Sequence, residues 1–384
     1  MKAAKTAAIC GIASLALAAA GLAGCGDKVD GTAAALVIND EDVNLGTANF
    51  YLRHQQAETA NMMQSYGLTS SDLMWDQAIS DSQSYGDSLK ENCQDSLVNM
   101  VVLRQHAEEY GVSLTEEETQ KIDETAQAVM DANPDAMERI GASKEDVAQV
   151  LELYTYQQKM REPMVADTDR EVSDEEAAQT TVTYARISLE GEDGAELTED
   201  EKAELKADAE EVLAQIQASA DPSTADFSTI ADGVNEDFMA SSLSYGSDDT
   251  ILEDTVKEAV SSLTDGQVYG SVIETEEYYY IVRLDQAFDA EATETEKESI
   301  ISQRESENYD AKLQEWVDAS AVDTKSGWDN LRVTDKDLYV VKAEDTSGED
   351  GAADSSSVSG SSARTDSSSV SGSSGTAESS SAAE

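Results

Sequence analysis

Few side chains in this sequence are of the types that catalyse reactions or hold metal ions. The 384 residues include two histidines, His54 and His106, and three cysteines, Cys10, Cys25 and Cys93. Neither histidine lies near a cysteine or near an acidic pattern with metal-ligand spacing, and no acidic cluster has the spacing of an EF-hand loop. The sequence therefore predicts no metal site and no cofactor. We expect both histidines to be structural, at the surface or partly buried.

Cys93 is the one cysteine expected in the folded part of a processed chain. It falls on the apolar face of a predicted helix, with Leu89, Leu97, Met100 and Val101. A lone thiol forms no intramolecular disulfide, and burial disfavours the reactive thiolate. We therefore expect Cys93 to be a small core residue, and a reactive thiol is the alternative.

The first 24 residues have the pattern of a secretion signal. Lys2 and Lys5 give a positive start, and the apolar stretch 7–20 is short for a membrane span. The sequence LAGC at 22–25 resembles a bacterial lipobox, which implies cleavage before Cys25 and diacylglycerol on its sulfur. Acyl chains contribute about 0.8 kcal/mol per buried CH₂, so they would hold the protein at the extracytoplasmic face of a membrane. Ordinary signal-peptide cleavage beside a fortuitous cysteine is the alternative.

Helical patterns with capping signals fill the chain from about residue 46 to residue 178. Thr115 with Glu118 and Ser143 with Asp146 are spaced as capping boxes, and a further short helix is predicted to begin at Ser173. The longer predicted helices cover residues 46–66, 85–110, 115–131 and 143–165.

Between Val182 and Leu284 the periodicity changes from helix to strand. The segment 184–189 alternates between apolar and polar residues, and the segment 278–284 is aromatic and β-branched. A helix is predicted between these strands, and its apolar face consists of Leu205, Ala209, Val212, Leu213 and Ile216. The patterns predict an α+β protein in which a small α+β domain is inserted into a helical domain.

One more amphipathic helix is predicted from about Glu294 to Val317, with a short packed segment beyond it. Such a helix needs another apolar face to cover its own. We therefore expect it to pack on the N-terminal helices, so that two distant segments form one helical domain. From about Glu344 the composition becomes serine-rich and acidic, and DSSSVSGSS occurs twice, which predicts a disordered tail.

The formal net charge of −55 restricts the classes of partner. Phosphate binding requires lysine and arginine, so nucleic acid is excluded as a partner. Solubility through self-repulsion is the ordinary explanation for such a charge. An acidic surface that attracts basic, unfolded client proteins is the functional alternative.

Six short motifs resemble the PrsA and SurA-type foldases, a family that carries a parvulin peptidyl-prolyl isomerase domain. In chain order they are VINDEDV at 37–43, AEEYGVSLT at 107–115, EVSDEE at 171–176, FSTIA at 227–231, LTDGQV at 263–268 and Thr275 before the last strand. Their order and spacing behind a lipobox make the match specific over residues 22–333.

With these motifs placed, the chain divides into six predicted parts. They are a lipoprotein signal peptide (1–24), a tether (25–34), an N-terminal helical chaperone-like domain (35–175), a parvulin-like domain (176–290), a C-terminal helix that completes the helical domain (291–343) and a disordered acidic, serine-rich tail (344–384).

The chain departs from the family where the resemblance would place isomerase catalysis. Active parvulins carry one histidine in the first strand and one in the last, and the aligned residues here are Arg186 and Tyr280. The family's Cys or Asp position corresponds to Asp237. The apolar positions that bind the proline ring in the family correspond to Leu243, Leu252 and Val256. Plain core packing is the alternative for these three.

Isomerisation breaks no covalent bond but must overcome an amide barrier of about 18–20 kcal/mol, so a site must bind the twisted amide better than the planar one. The family's histidines organise polar contacts around that amide. Arg186 cannot act as a neutral donor and acceptor, and Tyr280 substitutes only in part. We therefore expect weak or absent isomerase activity.

Three functional hypotheses follow. The first is a membrane-anchored extracytoplasmic foldase or chaperone that holds unfolded secreted proteins, with a parvulin-like domain of weak or lost activity. The second is an active prolyl isomerase with a modified site that uses Arg186, Asp237 or Tyr280. The third is a structural or adhesive surface lipoprotein on a foldase scaffold. The expected partners are client proteins and, through Cys25, the membrane. A homodimer through the helical region is a further hypothesis.

Overall fold

The computed structural model describes residues 16–19, 29–67, 75–80, 82–191, 197–334 and 339–342. The predicted lipid attachment at Cys25, most of the predicted signal peptide and the predicted tail (344–384) lie outside these residues and stay predictions. In the described part, ten α-helices and three antiparallel sheets confirm the α+β class. None of the helices described is both long and apolar enough to cross a membrane.

Strand β1 (Ala16–Ala19) pairs antiparallel with β9 (Tyr339–Lys342), at the far end of the described chain. Because β1 lies within the predicted signal peptide, cleavage before Cys25 would remove one partner of this pair. If this predicted cleavage occurs, the pairing is present only in the unprocessed chain.

The N-terminal half forms a helical core beside a small sheet. Strands β2 and β3 form a hairpin, and β8 pairs with the other edge of β2, with Leu36 opposite Thr324. The elements of this half are β2 (Ala34–Ile38), β3 (Glu41–Asn44), α1 (Leu45–Ser65), α2 (Tyr85–Gln105), α3 (Glu116–Ala132), α4 (Pro134–Ile140) and α5 (Lys144–Met164).

The local signals explain where these helices begin and end. Thr115 and Ser143 each form a complete capping box, as predicted, and so does Ser84 at the start of α2. Helix α2 ends at Gln105, before the predicted boundary, because a 3₁₀ turn follows and Gly111 then adopts φ 66°. At Ser173 the predicted helix is absent: the hydroxyl accepts from the amide of Glu176 at 3.1 Å, but only a turn forms.

The C-terminal segments pack against this helical half. Helix α9 (Ala290–Ala319) packs on α2 and α5, as the sequence predicts for its apolar stripe. After it come β8 (Val322–Thr324) and the single turn α10 (Ser326–Asp329), whose Trp328 is 1% exposed. Trp328 lies in the same apolar cluster as the N-terminal helices. The exact domain boundaries stay predictions.

The central part is a four-stranded antiparallel sheet with the order β5-β4-β7-β6. One face packs on α6 and α7 through Ala185, Ile187 and Ile281, and the other packs on α8 through Val182, Tyr280 and other residues. This part contains β4 (Thr180–Ser188), α6 (Glu199–Ala218), α7 (Phe227–Val234), β5 (Met239–Tyr245), α8 (Asp254–Ser261), β6 (Ile273–Glu274) and β7 (Tyr278–Gln286).

Candidate functional site

The sheet brings two of the predicted site residues into direct contact. Arg186 on β4 lies opposite Tyr280 on β7 in the strand register. The Arg186 guanidinium donates through Nη1 to the Tyr280 hydroxyl oxygen at 3.1 Å. Both side chains lie on the sheet face that packs on α8. The two positions aligned with the family's histidines are therefore neighbours here, joined by one hydrogen bond.

Two further tyrosines frame Arg186. Side chains two residues apart on a strand share a face, so Tyr184 stands beside Arg186 on β4, and Tyr278 stands beside Tyr280 on β7. The guanidinium carbon lies 4.3 Å from the Tyr278 ring centroid and 5.7 Å from that of Tyr184. Such cation–π contacts contribute about 0.5–2 kcal/mol each, depending on desolvation. The arginine is thus held by aromatic faces as well as by one hydroxyl.

The charges in this cluster are fixed near neutral pH. Burial acts to lower the pKa of Arg186, but the hydrogen bond to Tyr280 and the interactions with Tyr184 and Tyr278 outweigh it, so this pKa is raised. Burial raises the pKa of Tyr280, against the lowering effect of Arg186. Arg186 is therefore a cation and Tyr280 a neutral phenol. Neither side chain can accept a proton from a substrate at this pH.

Arg186 is not fully satisfied by its neighbours. Its Nε atom is buried and has no hydrogen-bond partner in the described part of the chain. A buried donor without an acceptor costs about 1–3 kcal/mol. The carboxyl oxygen Oε1 of Glu253 is also buried and without a hydrogen-bond partner among the described residues, and the Glu253 charge contributes to the raised pKa of Tyr280. The cluster therefore holds two buried polar atoms without hydrogen bonds among the described residues: a donor, Arg186 Nε, and an acceptor, Glu253 Oε1.

The three predicted pocket residues lie in the apolar cluster beneath α8. Leu252 and Val256 are 2% and 0% exposed and pack with Tyr280, while Leu243 on β5 is half-buried. Leu252 and Val256 present almost no surface to a ligand unless the cluster opens. This placement agrees with the core-packing alternative, and a role for the three in peptide binding stays a prediction.

Asp237 is not brought into the cluster. It is exposed, it lies in the turn before β5, and its backbone amide donates to the side chain of Asn235 at 2.9 Å. Among the described residues, Arg186 forms no ion pair within 4.0 Å, with Asp237 or with any other acid. A catalytic role for Asp237 would require movement of this turn.

An open cavity of about 760 Å³ lies between the start of α8 and the turn that joins β6 to β7. Five carboxylates and two threonines line it: Glu253, Asp254, Thr255, Glu274, Thr275, Glu276 and Glu277. The cavity adjoins the arginine cluster because Ile273 pairs with Tyr280 across β6 and β7. The described residues include no group of histidine, cysteine, aspartate and glutamate side chains that could hold a metal ion. Because five carboxylates line it, the cavity favours cationic groups of a ligand over anionic groups.

Sequence reasoning missed Tyr184, Tyr278 and Glu253 as members of the cluster. The two tyrosines were detectable, because a spacing of two residues on predicted strands places them on the same face as Arg186 and Tyr280. Glu253 gave no such signal, since it lies in a loop whose position depends on how α8 docks.

The histidines lie far along the chain from this cluster. His54 is 7% exposed, which corrects the expectation of a surface or partly buried residue. It stacks on Phe50 at 6.4 Å, its Nδ1 has no hydrogen-bond partner in the described part, and burial lowers its pKa to about 4. His106 is half-buried and stacks on Trp316 at 4.3 Å.

Cys93 is a core residue, as predicted. It is 2% exposed, and burial raises the pKa of its thiol to about 12. A thiol with this pKa is almost wholly protonated near pH 7 and is a poor nucleophile. Neither Cys93 nor the histidines therefore contribute chemistry to the cluster around Arg186.

Comparison with known proteins gives structural neighbours only. No protein-family model matches the chain, and no curated protein matches it. Among solved structures, the chain is similar to the foldase protein PrsA from Streptococcus pneumoniae, with 18% identity and a TM-score of 0.28 over 63% of this chain and 92% of that chain. It is also similar to PrsA from Bacillus subtilis, with 16% identity and a TM-score of 0.23 over 60% and 84%.

A third neighbour is one of two SurA-like chaperones from Campylobacter jejuni, with 10% identity and a TM-score of 0.21 over 71% of this chain and 95% of that chain. The structural neighbours are thus PrsA-type foldases and SurA-like chaperones, the group that the sequence motifs resemble. At these TM-scores the likeness carries no argument about function.

Proposed function

We propose that this protein is an extracytoplasmic foldase or chaperone that holds unfolded client proteins, and that its parvulin-like domain has weak or no isomerase activity. The observation that supports weak or absent isomerase activity is the Arg186–Tyr280 hydrogen bond of 3.1 Å. It engages the two side chains at the positions where the resemblance implies catalytic histidines. A permanent cation and a neutral phenol replace two groups that can both donate and accept.

The burial of the apolar residues of the cluster also argues against isomerase activity. Proline binding needs an apolar surface that a ring can reach, but Leu252 and Val256 are buried against Tyr280. A site that stabilises a twisted amide must be open to the substrate before it can bind one state better than another. The described cluster is closed at its apolar end and open only at its acidic end.

Client binding is supported by charge and by exposed apolar side chains. Unfolded basic segments are attracted by a chain with a net charge of −55 and by a cavity with five carboxylates. The central part also exposes apolar side chains, which could contact the apolar residues that a client leaves uncovered. Met239, Ile251 and Phe288 are 62%, 65% and 49% exposed.

The second candidate is an active isomerase with a modified site. The open cavity beside Tyr280 and the unpartnered oxygen of Glu253 favour it, because they would accept donors from a substrate peptide. The two candidates differ in one measurable property, the rate of cis/trans exchange at an X-Pro bond.

The test is NMR exchange spectroscopy on an X-Pro peptide with the full chain at several concentrations. We expect no acceleration over the slow uncatalysed exchange, and stoichiometric suppression of the aggregation of a basic refolding client. The double variant Arg186→His with Tyr280→His carries histidines at both aligned positions. It is the comparison sample in which isomerase activity would be gained. Clear acceleration by the unaltered protein, lost in Tyr280→Phe, would establish the isomerase instead.

We also propose that a lipid on Cys25 anchors the protein to the membrane. The lipobox resemblance supports this, and the expected result for Cys25→Ala is release of the protein into the soluble fraction. Retention of Cys25→Ala in washed membranes would refute the anchor without bearing on client binding.

A further inference from the structure

The outer strand β5 of the central sheet is an unusual edge. It has seven residues, Met239–Tyr245, and in the described part of the chain it pairs with β4 alone. Its sequence, MASSLSY, contains no charged residue and no proline. A strand of this length presents a row of backbone donors and acceptors on its unpaired side.

The unpaired side of β5 is open to solvent. Ser241 and Ser242 point to opposite faces of the sheet, since neighbouring residues alternate, and both are exposed. At the start of the strand, Met239 is 62% exposed. Helix α7 contacts β5 on one face, and Leu243 packs toward α8 on the other, but the side chains of Ser241 and Ser242 in the middle of the strand stay exposed.

The other edge of the same sheet is protected in the ordinary way. Strand β6 has only two residues, Ile273 and Glu274, and Glu276 and Glu277 follow in the next turn. Short length and charge are the usual devices that stop an edge from pairing with another chain. Strand β5 has neither device within its seven residues.

The charges near β5 lie at its two ends. Glu236 and Asp237 precede the strand, and Asp248 and Asp249 follow it closely. Lys257 donates to the carbonyl of Asp249, so it offsets part of the negative charge at the second end. At about 3.3 Å per residue the uncharged stretch is about 23 Å long. An uncharged edge with two carboxylates at each end complements an extended segment that has basic residues at both ends.

We infer that β5 binds an extended segment of a client as a fifth strand of the sheet. The segment would have small or apolar uncharged residues in its middle and lysine or arginine at its ends. Backbone hydrogen bonds would supply affinity, and alternate side chains beside Met239 and Leu243 would supply selectivity. This inference rests on the proposed client binding and names the surface that performs it.

The charges at the ends of β5 favour a client segment over a second copy of this chain as the occupant of the edge. Antiparallel pairing of two β5 strands would bring Glu236 and Asp237 of one chain beside Asp248 and Asp249 of the other. Two chains with a net charge of −55 each also repel one another. A basic segment meets the same four carboxylates with opposite charge, so the edge accepts a client and rejects its own copy.

The experiment measures binding of a labelled synthetic peptide to the full chain by fluorescence anisotropy. The peptide has five alternating threonine and valine residues with two lysines at each end. Ser241→Lys places a charge in the middle of the edge, and Ser261→Lys, at the exposed last residue of α8, adds the same charge elsewhere. We expect Ser241→Lys to weaken binding about tenfold or more and Ser261→Lys to change it less than about twofold.

A second peptide separates strand addition from simple charge attraction. N-methylation of alternate residues in its middle removes backbone donors but keeps every charge, and we expect binding to fall about tenfold or more. Equal binding of the methylated peptide, or equal binding by Ser241→Lys and the unaltered chain, overturns the inference. A stable dimer that Ser241→Lys dissociates would also overturn it, because the second copy would then be the occupant.

A refutation of the β5 surface can be distinguished from a refutation of the proposed client holding. If Ser241→Lys still suppresses client aggregation as well as the unaltered chain, client holding stands and the β5 surface is refuted. If the unaltered chain neither suppresses aggregation nor binds the peptide, client holding itself is refuted.

Discussion

Two arginines of this protein differ in how their donors are used. Arg53 on α1 is 5% exposed, and its three nitrogens donate to Asn49 Oδ1 at 3.2 Å, Gln56 Oε1 at 2.9 Å and the carbonyl of Arg332 at 2.8 Å. Arg186 donates once, to Tyr280, and its Nε is buried with no hydrogen-bond partner in the described chain. All three nitrogens of the first arginine donate to oxygen atoms, and the second arginine lies among aromatic rings.

This difference distinguishes an arginine that joins two segments of the fold from an arginine with a donor left for another partner. The bond from Arg53 to Arg332 crosses 279 positions of sequence and ties α1 to the segment that buries Trp328. A buried arginine that donates from all three of its nitrogens specifies how two distant segments meet. An arginine with an unsatisfied donor at the end of a sheet stores a cost that only a ligand or a rearrangement would recover.

The largest expected effect is on stability and concerns Arg53. Arg53→Met leaves the side-chain oxygens of Asn49 and Gln56 and the Arg332 carbonyl without this donor in a buried site. We expect a loss of about 3–5 kcal/mol in the free energy of unfolding. Arg186→Met should cost less, about 1–2 kcal/mol, because removal of the unpartnered buried Nε offsets part of the loss of one hydrogen bond and two cation–π contacts. Urea unfolding followed by circular dichroism measures both variants, and equal losses would remove the distinction.

The next effect is the pH dependence contributed by His54, which follows Arg53 on α1. Its pKa is lowered to about 4 in the folded protein, whereas the unfolded value is about 6.5. The unfolded chain therefore binds the proton first as the pH falls. The stability that His54 contributes is fully present above about pH 6.5 and is lost progressively toward pH 4, a change of about 3 kcal/mol.

The measurement is the free energy of unfolding between pH 7 and pH 4 for the unaltered chain and for His54→Gln. The two proteins have the same carboxylates, so the difference between their curves isolates His54. We expect a shallower curve for His54→Gln. Parallel curves for His54→Gln and the unaltered chain would show that His54 does not titrate in this way.

The sequence predicted most of the fold because its signals are local. Capping residues Thr115 and Ser143 and the alternation of Ala185, Ile187 and Leu189 depend only on neighbours a few residues away. Helix α4 (Pro134–Ile140) lies between the predicted helices 115–131 and 143–165 and was missed, although proline is favoured at the first position of a helix. The burial of His54 was also missed, even though its spacing of four from Phe50 places both on one helix face.

The candidate site was less predictable because it is assembled over long distances. Arg186 and Tyr280 are 94 positions apart, and their contact depends on the strand register. Only the resemblance to the foldase family paired them in advance. The open edge at β5 was not predicted either, since a strand becomes an edge through the order of all four strands, which no local pattern encodes.

The smallest effect tests whether Arg186 and Tyr280 act as a pair. Tyr280→Phe removes the hydroxyl that accepts from Arg186 at 3.1 Å and keeps the ring that packs against Leu252 and Val256. We expect a loss of about 1 kcal/mol in the free energy of unfolding, the usual net contribution of one hydrogen bond. In a double-mutant cycle with Arg186→Met, the coupling energy should be about 1 kcal/mol.

Tyr278→Phe is the matched control, because it keeps the ring face beside the guanidinium and removes a hydroxyl that Arg186 does not use. Its coupling with Arg186→Met should be close to zero. If Tyr280→Phe shows no coupling either, the aromatic rings alone hold Arg186, and the hydroxyl of Tyr280 is available to a substrate. The contrast with Arg53 would then be sharper still, since Arg186 would have no hydrogen bond that contributes to stability.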